Sequence, residues 1–190
     1  MKKFVCVLLA LAVICSLGMS AFAADDVTGT LADGSAITKP VSEVAKSVEE
    51  GLAELEAIDA ERAEKLKTFF ADAEANAAEN EKLEIIKKGI VHFAGFFAEV
   101  TEDELDVDLP VPGAKAGQKY GVTLSNGTSE LGESKEDDTV TAAFPKDADY
   151  IGYVITAEVE DTQDDGTTFY YYYDTTGNEI TPSDSPVVNG

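Results

Sequence analysis

The apolar positions of this chain fall into three spacing regimes, and each predicts a different kind of element. Phe4 to Leu17 is a nearly continuous apolar run, preceded by Lys2 and Lys3 and followed by a small-residue stretch that ends Ala21-Phe22-Ala23. A positive end, a short apolar middle and an A-x-A exit predict a cleavable secretory signal over residues 1–23. The run falls short of the roughly 20 apolar residues that a membrane span needs. From Pro40 the register changes. Val41, Val44, Ala45, Val48, Leu52, Leu55, Ala63, Leu66 and Phe70 recur at spacings of three and four, with Glu and Lys on the other faces. That spacing predicts an amphipathic helix capped at Thr38 or Ser42. Leu83, Ile86, Ile90, Phe93, Ala94 and Phe97 continue it as a second stripe. One unbroken helix from Pro40 to Val100 would be about 90 Å long, so a turn at Asn76 or Asn80 and a helical hairpin over residues 40–100 are expected. Residues 24–39, rich in Gly, Thr and Asp, read as a flexible arm, in which Val27, Leu31 and Ile37 could form a short strand that joins a sheet later in the chain and ties the arm down.

The third regime is two-residue alternation. It begins near Leu105 and runs through Asp106 to Val111, Tyr120 to Leu124, Val140 to Phe144, Ile151 to Val159 and Thr168 to Asp174. Asn126-Gly127 and Asp164-Asp165-Gly166 supply turn chemistry between these runs. Five or six strands with such punctuation predict a small antiparallel β-sandwich over residues 101–180. The fold class expected is therefore α+β, a helical hairpin followed by a sandwich. The Pro- and Ser-containing tail over 181–190 reads as disordered.

The stretch Leu109-Pro110-Val111-Pro112-Gly113-Ala114-Lys115-Ala116-Gly117-Gln118-Lys119-Tyr120, then Asp137 to Phe144, then the apolar strand Tyr150 to Ile155, carries a resemblance. This order is similar to that of uncharacterised secreted or surface β-sandwich proteins of Gram-positive gut-type bacteria. The resemblance implies an extracellular or cell-surface location and a β-sandwich. It transfers no catalytic or binding residue, because its motifs are turn chemistry. The chain departs from the usual surface pattern in having no LPxTG-type sorting signal.

Composition sharpens this picture. Both cysteines, Cys6 and Cys15, lie in the predicted signal, so the remaining chain offers no disulfide, thiol nucleophile or cysteine ligand. Its fold must rest on core burial. The formal charge is −23, and losing Lys2 and Lys3 with the signal takes it to −25. Such a field repels nucleic acid and anionic membranes. The hydrophobic content of 44% is too high for a disordered acidic chain.

Three groups of residues could carry chemistry. His92 is the one histidine, and without cysteines or a nucleophile motif it reads as a boundary residue rather than a base or a zinc ligand. Glu102, Asp103, Glu104, Asp106 and Asp108 crowd the helix-to-sheet junction, where calcium is the candidate ion because it gathers six to eight oxygens; the alternative is a solvated acidic surface. Phe169-Tyr170-Tyr171-Tyr172-Tyr173 is the third group. On a strand, Tyr170 and Tyr172 share one face, opposite Phe169, Tyr171 and Tyr173. One face belongs in a core, and the other either packs under the helices or offers a platform for a sugar or a partner protein. Tyr170 and Tyr172 are accordingly the candidate contact residues. The function expected is that of an exported, acidic, non-catalytic interaction protein with a protein or glycan partner. The alternative is a small carboxylate-dependent hydrolase of glycosidase type, which would need paired acids in a cleft.

Overall fold

The structure, a computed structural model, describes residues 26–181. The predicted signal, and the predicted tail beyond Thr181, lie outside the described residues. The chain runs through β1 (Asp26–Thr30), β2 (Ala36–Pro40), a single turn α1 (Val41–Val44), β3 (Ala45–Lys46), α2 (Val48–Ile58) and α3 (Ala60–Glu79). There follow β4 (Ile85–Val91), β5 (Glu104–Pro110), β6 (Lys119–Leu124), β7 (Ser129–Glu133), β8 (Thr139–Pro145), β9 (Ile151–Thr156), β10 (Val159–Thr162) and β11 (Thr168–Tyr171). The fold is α+β and its sheets are antiparallel.

Seven strands form one sheet in the order β3-β4-β9-β6-β7-β8-β5. The β1–β2 hairpin lies along β5, where Leu31 bridges Val100 and the Thr101 N–H donates to the Thr30 carbonyl at 2.9 Å. Its second strand leads through α1 directly into β3, at the opposite edge. The hairpin thus links the two edges, and the sheet curls into a nearly closed barrel. Hydrogen bonding therefore draws one curled sheet in place of the two facing sheets of the expected sandwich. Turn spacing predicts strands, but it does not say which neighbours they choose.

The segment read as a flexible arm is structured. Val27 is fully buried in the barrel core, and Asp33 Oδ1 accepts from the Ser35 N–H at 2.9 Å to shape the turn. Of the three residues read as a possible strand, Val27 lies in β1 and Ile37 in β2, and Leu31 bridges Val100, so the segment is tied down by the sheet rather than free.

The second predicted helix is also corrected. Ile85–Val91 is strand β4, and Ala94 (φ 51°) and Gly95 (φ 74°) break the backbone beyond it. The apolar stripe misled because β4 is covered on both faces. Val91 faces the barrel interior, whereas Ile90 faces outward under the helices. A strand buried on both sides loses its period of two. Its β-branched isoleucines and valine favour the extended form. Phe93 and Phe97 then meet edge to face inside the barrel at 5.5 Å. Phe96 stays partly exposed, with the Lys39 ammonium 4.1 Å from its ring centre.

The helices that do form carry local start signals. Ser47 Oγ accepts from the Glu50 N–H at 3.2 Å and opens α2, and Asp59 Oδ1 accepts from the Arg62 N–H at 3.1 Å to open α3. Asp59 also closes α2 through its own N–H to the Leu55 carbonyl, so the helices join at Asp59, and Asn80 caps the end of α3. The caps at Thr38 or Ser42 are not used. Leu55, Ala63, Leu66, Phe70 and Ala73 cover Ile90 of β4 and Val154 of β9. Close approach is set by two glycines: a Cβ on Gly51 would stand 2.8 Å from Ile90, and one on Gly152 would stand 3.0 Å from both Leu66 and Phe70. Strand β9 is buried along its whole length, with Ile151, Tyr153 and Ile155 in the barrel core and Val154 under the helices. Among the described residues, no helix is long and apolar enough to cross a membrane.

Candidate functional site

The tyrosine strand does not enter the barrel. β10 and β11 form a separate two-stranded ribbon in which Glu160 pairs with Tyr170 and Asp161 with Phe169. Neither face of β11 becomes barrel core: Phe169 and Tyr170 are about half exposed, and only Tyr173, beyond the strand, is buried. The Asp164-Asp165-Gly166 turn closes the ribbon, with Asp165 Oδ1 accepting from the Thr167 N–H at 2.9 Å. That bond holds the Asp165 carboxyl below its ordinary pKa.

Tyr170 and Tyr172 line one cleft of ≈ 450 Å³ together with Gly117, Gln118, Lys119, Glu158 and Glu160. A second hollow of ≈ 320 Å³ shares Gln118, Glu158 and Glu160 with it and adds Ile86, Pro112, Ala114 and Ala157. The combined cleft therefore has an aromatic arm and an apolar arm that meet at two glutamates.

A fixed chain of hydrogen bonds forms its floor. The Tyr172 hydroxyl donates to Glu158 Oε2 at 2.8 Å, and Gln118 Nε2 donates to Glu158 Oε1 at 3.4 Å. The Tyr120 hydroxyl donates to Gln118 Oε1 at 2.9 Å and accepts from the Lys115 N–H at 3.2 Å. Burial, and then the bond to Glu158, push the Tyr172 pKa well up, so its hydroxyl stays protonated as a donor. Glu158 is thus held by donors on both oxygens. Glu160 and Tyr170, by contrast, make no side-chain hydrogen bond or ion pair among the described residues, and they face open space.

A second constellation lies beside α3. Arg62, the only arginine of the chain, sends Nη1 to Asp149 Oδ2 at 2.7 Å and Nη2 to the Asp149 carbonyl. His92, the only histidine, stands with Nδ1 3.4 Å from Asp149 Oδ1, and its ring stacks on Tyr150 at 3.9 Å and 11°. Its buried Nδ1 has no hydrogen-bond partner among the described residues. Tyr150 takes φ 57°, an uncommon conformation for a bulky residue, and its hydroxyl donates to Glu54 Oε2 at 3.3 Å. Lys46 pairs with Glu54 at 3.0 Å. Burial and the Glu54 carboxylate raise the Tyr150 pKa. Here most polar groups are engaged with one another, and the assembly fastens α2 and α3 to the turn before β9. His92 is thus a boundary residue as expected, although it follows a strand rather than lying on a helix.

The five junction acids are not brought together. Glu102 Oε2 accepts from the Thr30 N–H at 3.0 Å, Asp106 pairs with Lys135 at 3.5 Å, and Asp108 Oδ1 accepts from Thr141 Oγ1 at 2.5 Å. Asp103 contributes its carbonyl to the Lys146 N–H. Glu104, Asp106 and Asp108 share the outer face of β5, yet same-face residues on a strand are about 7 Å apart. Among the described residues, no group of three or more His, Cys, Asp or Glu side chains is placed to hold a metal ion. Nearby, Glu130 Oε1 accepts from the Ala143 N–H at 2.7 Å, filling in where β7 and β8 pair only at Glu133 and Thr141. Burial pushes the Glu130 carboxyl up, and Glu104 and Asp106 add to the rise against the pull of that hydrogen bond.

The sequence reading placed Tyr170 and Tyr172 on one side, and the structure lines one cleft with both. It missed Gln118 and Glu160. A signal was present: a hairpin centred on Asp165 sets Glu160 opposite Tyr170 and Glu158 near Tyr172. Arg62, Asp149 and Tyr150 left no comparable signal, since they converge from distant parts of the chain. No protein-family model, curated protein or solved structure matches this chain.

Proposed function

We propose that this is an exported, non-catalytic interaction protein that works outside the cytoplasm or at the cell surface and engages its partner through the cleft of Tyr170 and Tyr172. The observation that carries the reading is the contrast within the cleft. Its floor is fixed by the Tyr172–Glu158–Gln118–Tyr120 hydrogen bonds, while Tyr170, 50% exposed, and Glu160 have no internal partner. A preorganised floor with a free aromatic ring is the arrangement that binds without a large ordering cost. The apolar run and A-x-A exit of residues 1–23 support export. A hydrolase of glycosidase type would want an acid of raised pKa in the cleft. The acid so raised is Glu130, which lies on β7, away from the cleft-lining residues and bonded to Ala143.

The test is a pull-down of the secreted protein against cell-wall fractions and glycans, repeated with Tyr170→Ser/Tyr172→Ser. Capture by the wild-type protein and at least a tenfold loss in the variant are expected. Equal capture by both would remove the cleft from the function.

A further inference from the structure

We infer that the cleft is a receptor for a small organic cation, an ammonium head on an apolar body, with the head between Tyr170 and Glu160 and the body in the apolar arm. The inference rests on the cleft being the binding site and adds the class of its ligand. The two arms differ in a way that a uniform sugar-binding trough would not require. One arm offers tyrosine rings and carboxylates, and the other is walled by Ile86, Pro112, Ala114 and Ala157. They meet at Glu158 and Glu160, and their sizes fall in the small-molecule range.

Charge decides between ligand classes. The titratable groups lining the aromatic arm are Glu158, Glu160, Lys119, Tyr170 and Tyr172. Lys119 is exposed, Tyr172 is held as a neutral donor by burial and its bond to Glu158, and Tyr170 presents its ring. The Tyr172 hydroxyl is engaged as a hydrogen-bond donor to Glu158, which leaves its ring and the ring of Tyr170 as electron-rich surfaces beside Glu160, a carboxylate with no ion pair among the described residues. A cation gains from the ring face and the carboxylate together. A carboxylate or phosphate would meet two glutamates and the field of a chain carrying −23. A neutral polyol would leave the Glu160 charge unused and gain nothing from that field. Glu160 also stays hydrated until a ligand arrives, so no buried ion pair has to be broken first.

The experiment titrates the secreted protein with hexyltrimethylammonium, with hexanol as the neutral counterpart and with cellobiose, following backbone and tyrosine-ring NMR shifts. Saturable shifts centred on Tyr170, Ala157 and Glu160 are expected for the cation alone. Binding should weaken about tenfold in Glu160→Gln and on raising the salt from 0.05 to 0.5 M. Glu160 is an exposed residue without internal partners, so an unchanged unfolding midpoint will show that the variant is folded. If cellobiose binds, loses its shifts in Tyr170→Ser, and the cation does not bind, the cation inference falls while the cleft remains the site. Binding of a trilysine peptide without binding of the small cation would likewise overturn it in favour of a basic polypeptide. Equal binding of hexanol and the cation would show that charge is not read. If no probe shifts the cleft residues, this inference is overturned, and a continuing capture defect in Tyr170→Ser/Tyr172→Ser would keep the cleft as a contact surface.

Discussion

Tyr150 and Tyr170 are the same residue type in two opposite settings, and each stands next to a glutamate. Tyr150 is 7% exposed, stacked on His92 and bonded to Glu54, while Arg62 grips the preceding Asp149. Tyr170 is half exposed, opposite Glu160, and makes no side-chain hydrogen bond among the described residues. In the first region aromatic and charged chemistry is consumed in joining helices to the barrel. In the second it is left over. The comparison teaches that unusual residues, even the sole arginine and sole histidine, mark structure when their partners are internal. Ordinary residues become the candidates for function when no internal partner takes them up.

The comparison is broken most forcefully by truncating the two tyrosines in turn. Tyr150→Ala should cost about 3 kcal/mol, the size expected for removing a buried aromatic ring, because the stacking and the Glu54 bond go while the left-handed backbone remains. Urea unfolding of the purified protein measures this, and a loss below about 1 kcal/mol would mean that the corner is not the clamp described here. An intermediate case is Glu130, neither clamped by a cation nor open to a cleft. Its folded pKa is raised above the ordinary 4.5, so its favourable contribution is fully present below that value and is lost as pH rises through the raised one. Glu130→Gln keeps an oxygen for the Ala143 N–H and does not titrate. It should therefore stabilise the protein at pH 7 by up to about 1 kcal/mol. The gain should vanish below pH 4.5, and melting curves across pH 3 to 8 will show the crossover. The smallest effect is expected at the cleft, where Tyr170→Ser should change stability by no more than about 0.5 kcal/mol. A larger loss on thermal unfolding would place Tyr170 with Tyr150 and erase the distinction.

Legibility in the sequence followed the number of faces an element buries. Strands covered on one side, such as Glu104–Pro110, kept their alternation and were readable. Ile85–Val91 is covered by barrel on one side and helix on the other, so its period disappeared into an apolar run that imitated a helix. The β1–β2 hairpin was only half legible, through Val27, Leu31 and Ile37, because Gly29 and Thr30 carry almost no apolar signal, yet a Cβ on Gly29 would stand 2.8 Å from Val100, so smallness itself is the packing feature. At the cleft, alternation put Tyr170 and Tyr172 on one side, and hairpin symmetry would have supplied Glu160. Gln118 was beyond reach, because its role depends on β6 lying close to the root of the ribbon. The acidic junction misled through proximity in sequence, which on a strand spreads carboxylates apart.

The position of β9 between β4 and β6 sets a timetable for folding. Val91 waits for Ile151, sixty residues further along, and Val122 waits for Ile155. Until Ile151–Thr156 exists, β4 has only the two residues of β3 beside it, and α2 and α3 lack half the floor on which they rest. Local hairpins such as β1–β2 and β6–β7 can pair as they are made, but β4 and the helices over it cannot reach their final packing. Such distant pairings slow folding, because loop closure must be met before the contacts reward it. The outer face of β4 and the helices above it therefore wait as an unfinished surface until the ninth strand fills the gap, and the cleft comes later still, with the ribbon that follows β9.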